Sequence, residues 1–121
     1  MTVLTTTETT IAVTTDADQV TLVNVFTVPP SRQDELLAAL DKATVEVFAG
    51  VPGFISANLH AALDGTRVIN YAQWSSEQAY REALRRPEIR HHIAEAAALT
   101  DKWDPTLVRV RSIHHARGAQ A

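Results

Sequence analysis

The stretch VINYAQWSSEQAYR, residues 68–81, contains the change from strand to helix that decides the fold. Side chains of a β-strand alternate between two faces. One face of this strand carries Val68, Asn70, Ala72 and Trp74. It is an apolar face that includes one amide, and burying an amide without a partner costs about 1–3 kcal/mol. We therefore expect Asn70 to hydrogen-bond another side chain, a water or a ligand.

A second strand repeats this pattern earlier in the chain. Alternate residues of VTLVNVFTV, 20–28, place on one face Val20, Leu22, Asn24, Phe26 and Val28. The prolines at 29–30 end the strand, because proline has no N–H to donate to a sheet. The sequence thus predicts two strands that each carry one asparagine among large apolar side chains.

The segment between these two strands predicts a helix and a hairpin. Apolar residues at helical spacing follow Ser31, the predicted N-cap, and the helix is expected to end near Gly50. A strand over 55–63 comes next. The DG pair at 64–65 is typical of a two-residue hairpin turn into the strand over 66–74.

The C-terminal part of the chain predicts a helix in two pieces and a last strand. The serine pair at 75–76 supplies the N-cap of the first piece. Pro87 breaks this piece and suits the first turn of the second, over 88–100. The stretch DKWDP, 101–105, is interpreted as a loop before a strand over 106–113.

The predicted order is β-α-β-β-α-β, the ferredoxin-like α+β arrangement with an antiparallel sheet. Helices would cover only one sheet face, and the chain offers no further element for the other. We therefore expect a homodimer, paired through the sheets as a dimeric α/β barrel. Residues 19–115 form the predicted domain, between a C-terminal tail at 116–121 and a Thr-rich N-terminal tail at 1–18. The N-terminal tail is interpreted as flexible, or else as an edge strand added to a partner.

The composition excludes several classes of function. A chain of 121 residues suits one domain, and the absence of cysteine excludes disulfides, thiolate metal sites and cysteine nucleophiles. A net charge of −3 argues against nucleic acid and anionic membranes as partners. HExxH, P-loop and GxGxxG motifs do not occur. Without an apolar run of membrane-spanning length or a secretory signal, we expect a soluble cytoplasmic protein.

The stretch VPGFISANLHAALDGTRVINYAQWSSEQAYR, 51–81, resembles the antibiotic biosynthesis monooxygenase family. The runs VPGF, DGT and NYAQW-SEQAYR carry the resemblance, which extends over about 20–113. It implies a homodimer of ferredoxin-like chains, each with its own pocket between sheet and helices. It also implies a monooxygenase of antibiotic biosynthesis that uses O2 without a cofactor or metal to oxidise an aromatic polyketide anthrone to a quinone.

The resemblance also implies which residues form the pocket. The family's two pocket asparagines and its tryptophan fall on Asn24, Asn70 and Trp74, the predicted catalytic residues. The predicted substrate-binding residues are Tyr80, His92, Phe26, Phe54, Leu22 and Val68. Any of these side chains could instead be an ordinary core or surface residue.

Two positions in the pocket stay open, one on the last helix and one on the second strand. Relatives carry an arginine in the last helix, where Arg90 is nearest and His91 or His92 are alternatives. His92 lies on the apolar side of that helix, and is therefore the preferred one. His60, on the second strand, is interpreted either as a pocket base on the face of Phe54 or as an exposed residue.

The predicted catalytic residues suit the chemistry that the resemblance implies. An anthrone that loses a methylene proton gives an electron-rich enolate, which passes one electron to O2. Amide and indole N–H groups are donors that need not titrate, and preorganised donors stabilise developing negative charge. Apolar walls suit a flat aromatic ring system.

Three other functions remain alternatives on the same fold. Heme-degrading members of the family carry a histidine about ten residues after the tryptophan, and Leu84 occupies that position. This argues against heme binding or degradation. A non-oxidative polyketide cyclase would turn over without O2, and a ligand-binding module would bind without turnover.

Overall fold

The computed structural model describes residues 7–118, in which four strands and three α-helices follow one another in the predicted order. They are β1 (Val20–Thr27), α1 (Gln33–Glu46), β2 (Phe54–Ala61), β3 (Arg67–Trp74), α2 (Glu77–Ala83), α3 (Pro87–Ala98) and β4 (Lys102–Val108). All strand pairs are antiparallel, and the sheet order is β2-β3-β1-β4. The ferredoxin-like fold is therefore confirmed.

The helices cover one face of the sheet, called the helix face below, and their apolar side chains divide the core into two clusters. The Trp74 cluster comprises Val20, Leu22, Val51, Ala72, Trp74, Ala83 and Ile89. The Leu36 cluster comprises Phe26, Val28, Leu36, Val68 and Ala96. Because β1 and β3 each contribute to both clusters, the clusters lie at opposite ends of the same two strands.

The start of α1 differs from the prediction. Ser31 lies in a short 3₁₀ turn, Pro30–Arg32, and α1 begins at Gln33 without a side-chain cap. The preceding proline pair fixes the backbone of this turn, and the Arg32 N–H donates to the Pro29 carbonyl at 2.8 Å. At its other end α1 stops at Glu46, and a 3₁₀ turn over Phe48–Gly50 completes the segment.

The cap of α2 is as predicted for one of the two serines. Ser76 Oγ accepts a hydrogen bond from the Ala79 N–H at 3.1 Å, and Pro87 stands in the first turn of α3. The serine cap stabilises the turn from β3 into α2, and this turn brings Tyr80 beside Trp74.

The hairpin between β2 and β3 is longer than the predicted two-residue turn. The Gly65 N–H donates to the Ala62 carbonyl at 3.0 Å, and Gly65 has a φ of +80°. Residues 62–65 thus form a turn that ends on a left-handed glycine. The Asp64 carboxylate accepts from the Thr66 N–H and O–H at 2.9 and 2.6 Å, which stabilises the longer loop and lowers the pKa of Asp64.

A β-bulge changes which residues of β2 face the helices. The pairing of β2 with β3 shifts by one residue between Phe54 and Ser56. Phe54 lies opposite Trp74 on the helix face, whereas His60 lies opposite Ile69 on the other face and is exposed. The prediction that His60 shares the face of Phe54 is therefore wrong, because a bulge interrupts the alternation.

The last strand begins earlier than predicted. β4 starts at Lys102 and ends at Val108, so it includes most of the stretch that was interpreted as a loop. It is an edge strand that pairs only with β1, and proline is tolerated at such an edge. Pro105 lies opposite Asn24, and Trp103 lies opposite Phe26.

The second face of the sheet, called the back face below, is partly covered by the N-terminal segment. Residues 7–19 form no helix or strand. Gln73 Nε2 donates to the Ala12 carbonyl at 2.8 Å, and Arg109 Nε donates to the Ala17 carbonyl at 2.7 Å. Gln73 and its cross-strand neighbour Thr21 are buried on this face.

The expectation that no element covers the back face is therefore wrong at the end of the sheet near Gln73. A Thr-rich segment bonds through its backbone carbonyls, so its low apolar content did not indicate this contact. The predicted tails also include residues 1–6 and 119–121, which lie outside the described residues.

Candidate active site

A cavity of about 210 Å³ lies between the helix face of the sheet and the helices. Its walls are mostly apolar, and every helix and strand contributes to them. An apolar cavity of about 150 Å³ admits benzene. This cavity therefore has room for an aromatic ring system.

The cavity lies in the gap between the two core clusters. Asn24 stands between Leu22 of the Trp74 cluster and Phe26 of the Leu36 cluster along β1. Asn70 is directly opposite Asn24 on β3. Both asparagines line the cavity, where an aliphatic residue would have joined the two clusters into one core.

Helix α3 crosses this gap. Ile89 packs into the Trp74 cluster and Ala96 into the Leu36 cluster, about two helical turns apart on one face. His92 and Ile93 lie between these two contacts and line the cavity. The middle of α3 is thus the roof of the cavity.

Three polar atoms in the cavity wall have no hydrogen-bond partner within residues 7–118. They are Asn24 Oδ1, Asn70 Oδ1 and Trp74 Nε1, and all three are buried. Most buried polar groups in proteins are paired, and each unpaired one costs about 1–3 kcal/mol. The three side chains that carry these atoms line one apolar cavity, where a ligand would meet two amides and an indole.

The indole of Trp74 is held by three aromatic neighbours. Its ring meets Phe54 at a centroid distance of 5.4 Å, Tyr80 at 5.7 Å and Phe48 at 6.4 Å, each close to edge-on. Such pairs favour this geometry. The direction of the indole N–H is therefore set by packing and does not depend on a polar partner.

Tyr80 can act as a hydrogen-bond donor in this site. Burial raises the pKa of its phenol, and the nearby Arg81 opposes this only in part. The hydroxyl therefore keeps its proton at neutral pH and can donate a hydrogen bond to a ligand.

His92 is the imidazole of the cavity wall. Its side chain is only 13% exposed, and its Nδ1 lies 3.7 Å from Glu95 Oε2. The neighbouring His91 contacts the same carboxylate at 2.8 Å but is 69% exposed. His91 and Arg90 do not line the cavity, so the structure favours His92 among the three open candidates.

The structure brings the predicted site residues together with one exception. The cavity walls include Asn24, Asn70, Trp74, Tyr80, His92, Phe26, Phe54 and Leu22. Val68 shares their face but does not reach the cavity. It is fully buried in the Leu36 cluster beneath α1, opposite Phe26.

Sequence reasoning missed two wall residues on β4. Trp103 and Pro105 line the cavity, and Trp103 remains 43% exposed, which places it at the mouth. Both lay in the stretch interpreted as a loop. The alternation of Trp103, Pro105 and Leu107 is a period-two pattern that could have indicated a strand.

The described part of the chain contains neither a metal-binding cluster nor a membrane-spanning helix. Residues 7–118 contain no group of three or more His, Cys, Asp or Glu side chains arranged to hold a metal ion. None of the helices among them is long and apolar enough to cross a membrane.

Comparison with known sequences gives a family and two named relatives. Residues 19–95 match the family model described as antibiotic biosynthesis monooxygenase. Tetracenomycin-F1 monooxygenase of Streptomyces glaucescens is 44% identical over 75 residues, which are 62% of this chain and 67% of the relative. Deoxynogalonate monooxygenase of Streptomyces nogalater is 35% identical over 88 residues, 70% of this chain and 71% of the relative.

Solved structures of similar fold include two oxygenases. SnoaB of Streptomyces nogalater, a cofactor-independent oxygenase, superposes with a TM-score of 0.66 at 30% identity, covering 80% of this chain and 97% of its own. A monooxygenase from the gene ActVA-Orf6 of Streptomyces coelicolor, in complex with nanaomycin D, gives a TM-score of 0.67 at 32% identity. That match covers 81% of this chain and 91% of the relative.

Proposed function

Because the chain belongs to the antibiotic biosynthesis monooxygenase family, we propose that it oxidises an aromatic polyketide anthrone to a quinone with O2, without a cofactor. The observation that carries the proposal is that Asn24, Asn70 and Trp74, three side chains with unpartnered buried polar atoms, line one apolar cavity. The substrate class is supported by relatives that are monooxygenases of tetracenomycin F1 and deoxynogalonate.

The proposed reaction balances with O2 as the only oxidant. The anthrone methylene loses one proton, and the electron pair that stays behind forms an enolate. One electron passes to O2, and the resulting carbon radical and superoxide combine to form a C–O bond. The peroxide takes up a proton. Loss of the second methylene proton then breaks the O–O bond and forms the carbonyl, so that anthrone and O2 give quinone and water.

The polar side chains of the cavity specify which groups a ligand should present. The amides of Asn24 and Asn70 each carry an N–H donor and a carbonyl acceptor, which suit the carbonyl of a polyketide anthrone and the phenolic hydroxyls that flank it. The Trp74 N–H is a donor that suits an enolate or peroxide oxygen, where charge increases during the reaction. The Tyr80 hydroxyl supplies a second donor beside it.

The apolar walls have a separate part in the mechanism. They exclude bulk water, and an excluded, low-dielectric environment strengthens each hydrogen bond to a charged intermediate. Phe26, Phe54 and Leu22 provide flat or branched surfaces for the aromatic rings of the substrate.

The test is oxidation of a model anthrone. Metal-free protein would be mixed with dithranol, and O2 uptake and quinone absorbance would be compared with the spontaneous rate in buffer. Wild type is expected to accelerate both signals together. Asn70→Ala and Trp74→Phe are expected to reduce kcat, the latter by about 10²–10³-fold, as for loss of a donor to an oxyanion.

Asn58→Ala is the matched control. Asn58 lies on the back face and donates to the Ser56 hydroxyl and the Tyr71 carbonyl, away from the cavity. It is expected to keep the wild-type rate. A wild-type rate equal to that of buffer, or equal losses in the control and the cavity variants, would contradict the proposal.

Heme is the alternative that the cavity supports less well. Leu84, at the position where heme-degrading members carry histidine, lines the cavity with a side chain that has no ligating atom. A Soret band on titration with hemin would favour heme binding. Product formation without O2 uptake would favour a cyclase, and dithranol binding without turnover would favour a binding module.

The proposed assembly is a homodimer through the back face. Beyond the N-terminal segment, this face carries the half-buried side chains Val23, Val25, Ile69 and Tyr71. A second copy would cover them, since exposed contiguous apolar surface marks an interface. Light scattering after size-exclusion chromatography should give twice the chain mass of 13.2 kDa, and a monomer would contradict the assembly.

A further inference from the structure

Oxidation of an anthrone requires a group that accepts the methylene proton. Among the lining residues that the structure describes, Tyr80 and His92 are the ionisable ones. Tyr80 is protonated at neutral pH, because burial raises the pKa of its phenol, so it cannot accept a proton there. An imidazole can, since histidine changes charge between about pH 5 and 8.

The position of His92 suits proton transfer to a ligand in the cavity. It is placed by α3, whose contacts at Ile89 and Ala96 hold the helix on both sides of it. Its side chain is largely buried, and it lines the same cavity as Asn24 and Asn70.

Glu95 is the carboxylate beside the His92 ring. His92 Nδ1 lies 3.7 Å from Glu95 Oε2, which is an ion-pair contact longer than a hydrogen bond. The carboxylate thus lies on the Nδ1 side of the ring. The Nε2 side remains for a ligand, as in other His–carboxylate pairs.

The charged groups around this imidazole are few. Glu95 is the carboxylate within 4 Å, and it also binds His91 Nε2 at 2.8 Å. The rings of His91 and His92 are 5.8 Å apart. The wall residues on α1 and β4 are uncharged.

We propose that His92 is the general base of the anthrone oxidation and that Glu95 is its positioning residue, an inference that rests on the proposed function. His92 Nε2 takes the first methylene proton, and the electron pair of the broken C–H bond moves into the enolate. Glu95 stabilises the imidazolium that results. The imidazolium returns this proton to the peroxide, and neutral His92 then accepts the second methylene proton as the O–O bond breaks. That proton joins the departing hydroxide as water.

The experiment measures dithranol oxidation as a function of pH for four proteins. They are wild type, His92→Gln, Glu95→Gln and His91→Gln. The wild-type kcat is expected to rise over the range in which histidine loses its proton. His92→Gln is expected to lose about 10²–10⁴-fold in kcat, the usual contribution of a general base, and to lose this rise with pH.

Glu95→Gln separates a positioning role from a structural one. It keeps the shape of the side chain but removes the charge that stabilises the imidazolium. We expect a smaller loss in kcat, little change in KM and a displaced pH profile. His91→Gln, the same substitution at the adjacent exposed residue, is expected to keep the wild-type kcat.

A second measurement protects the test against misfolding. Imidazole added to His92→Ala is expected to restore part of the lost rate, which a merely unfolded protein would not show. The base assignment is overturned if His92→Gln keeps the wild-type rate and pH profile while Asn70→Ala is impaired. If wild type does not accelerate oxidation at all, the proposed function fails and the base assignment fails with it.

Discussion

Replacing one cavity asparagine with leucine should make the protein more stable and inactive. Asn70 has a buried Oδ1 without a partner among the described residues, which costs about 1–3 kcal/mol. Leucine has a similar shape, removes this cost and adds apolar contact with both core clusters. We expect Asn70→Leu to raise the free energy of unfolding by about 1–3 kcal/mol.

The effect should be visible in both thermal and denaturant unfolding. At about 4 °C per kcal/mol for a domain of this size, the melting temperature should rise by about 4–12 °C. Urea melts would be run at one protein concentration, because the stability of the proposed dimer would depend on concentration. Dithranol oxidation, measured on the same samples, should fall to the rate in buffer.

Asn58→Leu, in the same sheet, should change the free energy of unfolding in the opposite direction. Asn58 Nδ2 donates to Ser56 Oγ at 3.2 Å and to the Tyr71 carbonyl at 3.1 Å, so its replacement should lower stability by about 1–2 kcal/mol. If both leucine variants were destabilised by similar amounts, the cavity amide would have a partner that the geometry does not show. The reasoning about unpartnered atoms would then be refuted.

Three further variants test other parts of the structure. Gly53→Ala should lower the free energy of unfolding in urea melts by about 2–4 kcal/mol, because Gly53 has a φ of +85° and a new Cβ would collide with Ala79 Cβ. Gly50→Ala, whose new Cβ would meet no atom within 4 Å, should leave it unchanged. Tyr80→Phe should lose less stability at alkaline pH than wild type does. Burial raises the pKa of Tyr80 in the folded state, so the contribution of its phenol to the free energy of unfolding is complete below the unfolded pKa near 10 and is lost as the pH rises further. If the free energy of unfolding of the variant fell as steeply as that of wild type between about pH 9 and 11, this expectation would be contradicted. Trp103→Ala, at the cavity mouth, should raise KM for dithranol more than it lowers kcat, and an unchanged KM would exclude Trp103 from binding.

Strand alternation was sufficient to place Asn24, Asn70 and Trp74 on the apolar faces of their strands, whereas the resemblance implied that they line a pocket. Asn24, Asn70 and Trp74 occupy the helix face because β1 and β3 are regular over their whole length, and a period of two then fixes every face. The same rule placed Val68 on the correct face. It could not show that the Leu36 cluster covers that end of the strand, since distance along a sheet is a property of packing.

Three errors have local physical causes. One extra residue after Phe54 reverses the faces of β2, and nothing in its alternating pattern marks the bulge. Pro105 made an edge strand look like a loop, which concealed Trp103. The backbone contact of Ala12 with Gln73 was not predictable, because any residue offers the same carbonyl.

The two contacts of α3 have a mechanical consequence. The helix is supported at Ile89 and Ala96, and between them His92 faces the cavity while Ile93 packs against the Trp74 cluster. The supports are unequal, since a branched four-carbon side chain buries more apolar area than a single methyl group. A substrate thicker than the resting gap should therefore lift the C-terminal half of the helix while the end at Ile89 stays in place. The site can thus adjust its depth to rings of different thickness without disturbing the sheet that carries the asparagines.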